Sequence, residues 1–184
     1  MTSGRFSANR GLTLIELIVV LSMIGVLLAV SSTSFSLSGW LSTHRLKRSA
    51  REIFLHMQKA RANAVKENRD WALLFDPSNN RYRFQYQDSG GWTDDGDYFY
   101  LAKNIDYSHG TAPFDASDDN NPFASNNPPD QVTFTGNRAT FGPLGLPTKS
   151  GYCYIANGEG DTYAIGANNV GAIKLKHWNG NDWE

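Results

Sequence analysis

One carboxylate, Glu16, interrupts the run Leu12–Val30 (LTLIELIVVLSMIGVLLAV), which is otherwise almost wholly apolar. An unpaired carboxylate inside an apolar helix costs about 2.5–3.5 kcal/mol on membrane-insertion scales, so the position calls for a counter-charge. The eleven residues ahead of the run, MTSGRFSANRG, are polar, carry Arg5 and Arg10 without an acid, and stop at Gly11. They read as a processing leader. Cleavage between Gly11 and Leu12 would create the missing partner, because the new α-ammonium of Leu12 would sit at the depth of Glu16, on this chain or on a neighbour, and the pair would set the stagger between subunits. The electropositive first turn of a helix lowers the cost of a carboxylate there further. Two ordinary readings compete: a secretory signal cut near Ala29-Val30-Ser31, and a plain membrane anchor. Neither gives Glu16 a purpose.

Other residues offer less. Asp94, Asp95 and Asp97, and Asp118 and Asp119 with Asn120 and Asn121, are oxygen donors of the kind calcium takes, but neither group has the order of a twelve-residue calcium loop, and solvated loop acid is the expected state. His44, His56, His109 and His177 show no metal-ligand spacing, no GxSxG or phosphate-loop sequence occurs, and Cys153 stands alone as a small buried hydrophobe. No enzyme, metal or cofactor is expected. Lys174 and Lys176 would share one face of a strand and are the candidate contacts for nucleic-acid phosphates, with edge protection as the plainer role. Trp92, Trp178 and Trp183 lie near glycine-rich turns, as partner surface or as packing at a sheet end.

These groups must be positioned by a helix and a β-rich head. The positive leader keeps the N-terminus cytoplasmic and sends the remainder outward. Beyond the apolar run, Leu46, Ala50, Ile53, Met57, Ala60 and Ala64 recur at steps of four and three, and no strong breaker precedes Asp76-Pro77. This predicts one long helix, roughly Leu12 to Glu67, whose lower half packs on its own head. The period then changes to two: Trp71–Phe75, a turn over Pro77–Asn80, and Tyr82, Phe84 and Tyr86 alternating with polar residues make a hairpin. Further strands are expected at Tyr98–Ala102, Val132–Phe134, Ala139–Phe141, Tyr152–Ala156, Tyr163–Ile165 and Ala172–Trp178, and residues 104–130 as an exposed loop. The expected class is α+β, a long N-terminal transmembrane helix on a mostly antiparallel β head. The division is leader 1–11, hydrophobic transmembrane or self-assembly helix 12–40, amphipathic continuation 41–69 and head 70–184.

A formal net charge of −1 over 184 residues names no partner, but its distribution is uneven. Arg45 to Arg69 holds eight basic and two acidic residues, whereas Asp70 to Asp130 holds eleven Asp against Arg81, Arg83 and Lys103. A basic stretch after an apolar helix suits a solvated helix face, anionic headgroups or an acidic neighbour.

The heptapeptide Gly11-Leu12-Thr13-Leu14-Ile15-Glu16-Leu17 resembles the prepilin cleavage and methylation motif of type IV pilins and type II secretion pseudopilins. The order helix, hairpin, variable loop and late short strands, with Val132-Thr133-Phe134 and Gly142-Pro143-Leu144-Gly145, is similar to the H-type (GspH/FimT) minor pseudopilins. The resemblance implies cleavage by a membrane prepilin peptidase after Gly11, methylation of the Leu12 amine and a role in assembly for Glu16. Leu12 stands where the family usually has Phe, and Ser31-Ser32-Thr33-Ser34 where many members have a proline. The implied protein is a non-enzymatic minor subunit of a secretion pseudopilus or type IV pilus. It would be single-pass in the bacterial inner membrane with a periplasmic head, and its partners would be other pilin or pseudopilin subunits and the assembly platform. The alternative is a DNA-binding minor pilin, since some relatives take up DNA through an arginine motif after a glycine. Here Gly171 is followed by Ala172, leaving Lys174 and Lys176.

Overall fold

The computed structural model describes residues 13–31, 37–113, 115–116 and 131–184, the side chains of 27–31 and 37–38 excepted. It divides into two compact units, residues 1–37 and 38–184. The first contains helix α1 (Leu14–Ser31). The second is built from helix α2 (Leu37–Glu67) and strands β1 (Trp71–Asp76), β2 (Arg81–Asp88), β3 (Gly91–Tyr100), β4 (Ile105–Tyr107), β5 (Arg138–Phe141), β6 (Gly151–Asn157), β7 (Thr162–Ala167) and β8 (Ile173–Trp178). Helix was expected throughout Leu12–Glu67; the two described helices cover most of it, and 32–36 lie outside the described residues.

The helical period of α2 translates directly into burial. Leu46, Ala50, Ile53, Met57, Ala60 and Ala64 are all 0% exposed. Two antiparallel sheets, in the orders β3-β2-β1-β5 and β4-β6-β7-β8, share a core with this stripe. The first sheet contributes Leu73, Phe75, Tyr82 and Phe84, and the second Cys153, Ile155 and Ile165. Each large side chain buried here contributes roughly 1.5–3 kcal/mol. Asn68 ends the helix in the left-handed region (φ 50°), a conformation asparagine tolerates at this position, and the Arg69 N–H returns to the Ala64 carbonyl at 3.3 Å.

The predicted hairpin forms around Pro77–Asn79, a single 3-10 turn closed by Asn80 at φ 48°. The Asp76 carboxylate accepts from Asn79 Nδ2 at 2.9 Å and Arg81 Nε at 2.8 Å, and the bond from Arg81 is the main reason its pKa lies below the ordinary value. Three strand assignments need correction. β3 starts at Gly91, seven residues earlier than the aromatic signal of Tyr98–Ala102, because backbone pairing with β2 and side-chain bonds to Asp94 sustain an acidic strand of low intrinsic β preference. Asp94, Asp95 and Asp97 are therefore strand residues, not loop acids. Ile105–Tyr107 lies within the expected loop but pairs with β6 and buries Ile105 and Tyr107, a run too short to show in the sequence pattern. Val132–Phe134 is not a strand: Val132 makes one bridge to Cys153, and Phe134 enters the turn Thr135–Asn137.

The second sheet is covered on both faces. Every residue of β6 is buried. Its outer side carries a separate cluster of Ala112, Ala116, Tyr152, Tyr154, Ala164, Trp178 and Trp183. Gly166 is required by close approach, since a Cβ there would lie 2.2 Å from the Gly151 carbonyl oxygen and 2.4 Å from the Tyr152 ring.

Candidate processing and assembly site

Thr13 starts α1. Its hydroxyl accepts the Glu16 N–H at 3.3 Å, and its carbonyl accepts the Leu17 N–H at 3.2 Å, so Thr13 is the N-cap and Glu16 the third helical residue. Thr-Leu-Ile-Glu is the T-x-x-E spacing of a capping box. The capping role of Thr13 is a functional assignment that the apolar periodicity conceals and this spacing reveals. Glu16 is exposed in the first turn, where partial positive charge from unpaired N–H groups favours an anion. Gly11 and Leu12, the expected cleavage pair, lie outside the described residues.

Every described side chain of α1, from Leu14 to Val26, is exposed. The exposure reaches 76% at Leu14 and 63% at Val26, and large apolar residues point in all directions around the axis. Among the described residues no helix is long and apolar enough to cross a membrane. The 18 residues of α1 span about 27 Å, just short of the ~30 Å hydrocarbon thickness.

The remaining candidates sit elsewhere in the head. Lys174 and Lys176 alternate along β8, an edge strand, and face the outer side of the second sheet with Trp178. Both are half-buried, and Lys176 Nζ donates to the Ala116 carbonyl at 2.8 Å. Trp178 and Trp183 pack at 5.4 Å between ring centroids, and Trp183 lies 5.7 Å from Tyr154, so these two tryptophans close the sheet end. Cys153 is fully buried, and burial pushes its thiol pKa far up, away from nucleophilic chemistry. His56 is held by aromatic rings, with its Nδ1 3.0 Å from the Tyr82 hydroxyl and its ring 4.4 Å from Phe99. Burial is the main cause of its lowered pKa, opposed by Glu52 and reinforced by Lys59. Asp118 and Asp119 lie outside the described residues. No group of three metal-ligating side chains occurs among the described residues.

On the exposed side of α2, Lys47, Arg48 and Arg51 form an open basic surface with His44, Glu52 and Leu55. Arg61 is tied down, donating from Nη1 to the Gly171 carbonyl at 3.0 Å.

Comparison with known proteins agrees with this geometry. The prokaryotic N-terminal methylation motif matches residues 6–32, and the family of the type II transport protein GspH matches residues 49–171. Two structures of the minor pseudopilin EpsH from the type 2 secretion system of Vibrio cholerae are similar, each at 15% identity. One has a TM-score of 0.50 over 72% of this chain and 93% of that one, and the other 0.49 over 71% and 95%. At this identity the first likeness speaks for the fold. No curated protein matches the chain. With a methylation motif leading into an apolar helix, an amphipathic helix packed on two antiparallel sheets, and a family match over most of the head, the chain belongs to the GspH family of type II transport proteins.

Proposed function

We propose that this protein is a non-enzymatic minor subunit of a type II secretion pseudopilus, anchored in the inner membrane by α1 with its head in the periplasm. One observation carries this: a methylation-motif match over residues 6–32 leads directly into a GspH head, so a processing signal and a fibre-type head occur in one chain. Prepilin peptidase cuts between Gly11 and Leu12, and the freed amine of Leu12 is methylated. The amine remains cationic. Glu16, capped into the first turn by Thr13, then presents its carboxylate to the α-ammonium of a neighbouring pseudopilin as the assembly platform adds subunits to the fibre. The neighbour's ammonium offsets the cost of a carboxylate at membrane depth, and α1 exchanges lipid for other apolar helices without repacking the head.

The test is mass spectrometry of the intact protein from the membrane fraction. The expected mature chain begins at Leu12 and carries one added methyl group at its amine. A terminus near Ser31 or Ser32 would identify an ordinary secretory signal and exclude the anchored fibre subunit.

A further inference from the structure

Among the described residues no helix or second sheet covers the outer face of the first sheet, yet it is not an ordinary solvated surface. Register places Arg83, Leu74 and Arg138 in one row across β2, β1 and β5, with Gln85, Ala72 and Thr140 in the next. Gln85 lies flat between its neighbours, its Nε2 donating to Asp94 Oδ1 at 2.7 Å and its Oε1 accepting from Arg138 Nε at 3.0 Å. Ala72 and Gln85 are both buried in this row. Above it, the Arg138 guanidinium lies 4.5 Å from the Trp92 ring, and Tyr98 is flanked by Arg81 at 3.8 Å and Arg83 at 4.5 Å.

Not every cation on this face has a carboxylate partner. Arg81 pairs with Asp76, and Arg83 Nη1 with Asp94 at 2.5 Å. Arg138 has no carboxylate partner among the described residues, and burial pulls its pKa below the ordinary arginine value. It remains a cation at any physiological pH. Its Nε is committed to Gln85 and one face of its plane to Trp92, which leaves the terminal nitrogens in fixed orientation for an incoming acceptor. Arginine, tryptophan and tyrosine are the residues that most often dominate protein interfaces.

We propose that the outer face of the first sheet is a protein-docking surface on which Arg138 receives a carboxylate side chain of a different protein, with Trp92 and Tyr98 as flanking contacts. A polyanion such as nucleic acid is a poor occupant, because exposed Asp94, Asp95 and Asp97 line the adjoining strand.

The test uses the full chain in cells, with a photo-crosslinking amino acid at Thr140 or Tyr100 on this face and at Leu55 on the exposed side of α2 as a control. Adducts from Thr140 and Tyr100 should map to a segment of another protein containing Asp or Glu. Arg138→Glu should reduce them at least tenfold while Leu55 adducts persist, and replacing the partner's carboxylate with Lys should restore them. If Arg138→Glu does not accumulate, Arg138→Gln, which keeps a donor for Gln85, takes its place with the same tenfold criterion. Absence of a protein adduct, an adduct to nucleic acid or to a second copy, insensitivity to the Arg138 substitution, or failure of the charge swap would each overturn the proposal.

Discussion

The two helices solve opposite problems. α2 sorts its residues by face, six of them fully buried at helical spacing and the cations Lys47, Arg48, Arg51, Lys59 and Lys66 left outside, so its buried stripe is covered by the two sheets of its own head. α1 sorts nothing by face. From Leu14 to Val26 it is apolar on all sides and exposed, and a helix of that kind is stable only against lipid or other apolar helices. Under the proposed function, fold stability is a property of the head, and placement in membrane or fibre a property of α1. The single ionisable group of α1, Glu16, lies at its start, where it costs least within the helix and can reach most beyond it.

This division is broken most severely at Gly166. Gly166→Val drives side-chain atoms into the Gly151 carbonyl and the Tyr152 ring, and should exceed the ~4 kcal/mol that single substitutions seldom reach. Denaturant unfolding of the full chain in detergent should then show no cooperative transition for the head, while membrane association persists. A matched pair sharpens the contrast. Met57→Ala should destabilise the head by about 2–5 kcal/mol, as expected for emptying a packed site, whereas Leu21→Ala in α1 should change the same transition by no more than ~0.5 kcal/mol. Equal losses would show that the head depends on α1.

The smallest expected effect is on pH dependence. The pKa of His56 is lowered in the folded state, so as pH falls the unfolded chain binds the proton first. Its contribution is fully present above the ordinary value of 6.5 and is lost as pH falls from there toward the lowered folded value. Between pH 7.5 and 5.5 the wild type should lose more stability than His56→Gln, measured by parallel unfolding titrations. A steeper loss in the variant would reverse the sign assigned to His56.

What the sequence displayed follows from how each element is held. The α2 stripe was legible residue by residue because Leu46, Ala50, Ile53, Met57, Ala60 and Ala64 all face one continuous core, and the hairpin because Pro77 and Asn80 carry their own turn chemistry. β3 was half hidden: Thr93-Asp94-Asp95-Gly96-Asp97 has no apolar alternation and is a strand only because β2 pairs with it. Ile105–Tyr107 was hidden by brevity, whereas the apolar alternation of Val132–Phe134 suggested a strand where Val132 makes only a single bridge. At the N-terminus, Glu16 stood out as the one carboxylate in an apolar run, while Thr13 required recognising a cap within that run. The outer-face network of Gln85, Arg138 and Trp92 was not legible, because it joins adjacent strands β2 and β3 to β5, with Gln85 and Arg138 53 positions apart.

The most direct measurement compares wild type with Glu16→Ala for two quantities: cleaved subunit resident in the membrane, and subunit recovered in sheared fibres or crosslinked to other pseudopilins. Processing and membrane residence should be equal, since removing the carboxylate eases insertion of the lone helix by about 2.5–3.5 kcal/mol and leaves the Gly11-Leu12 bond untouched. Fibre recovery should fall sharply, because a neighbour's ammonium left without its counter-charge costs roughly 3–5 kcal/mol at each joint. Equal fibre recovery for the two proteins would contradict an assembly role for Glu16, and loss of cleavage in Glu16→Ala would move its function from assembly to processing.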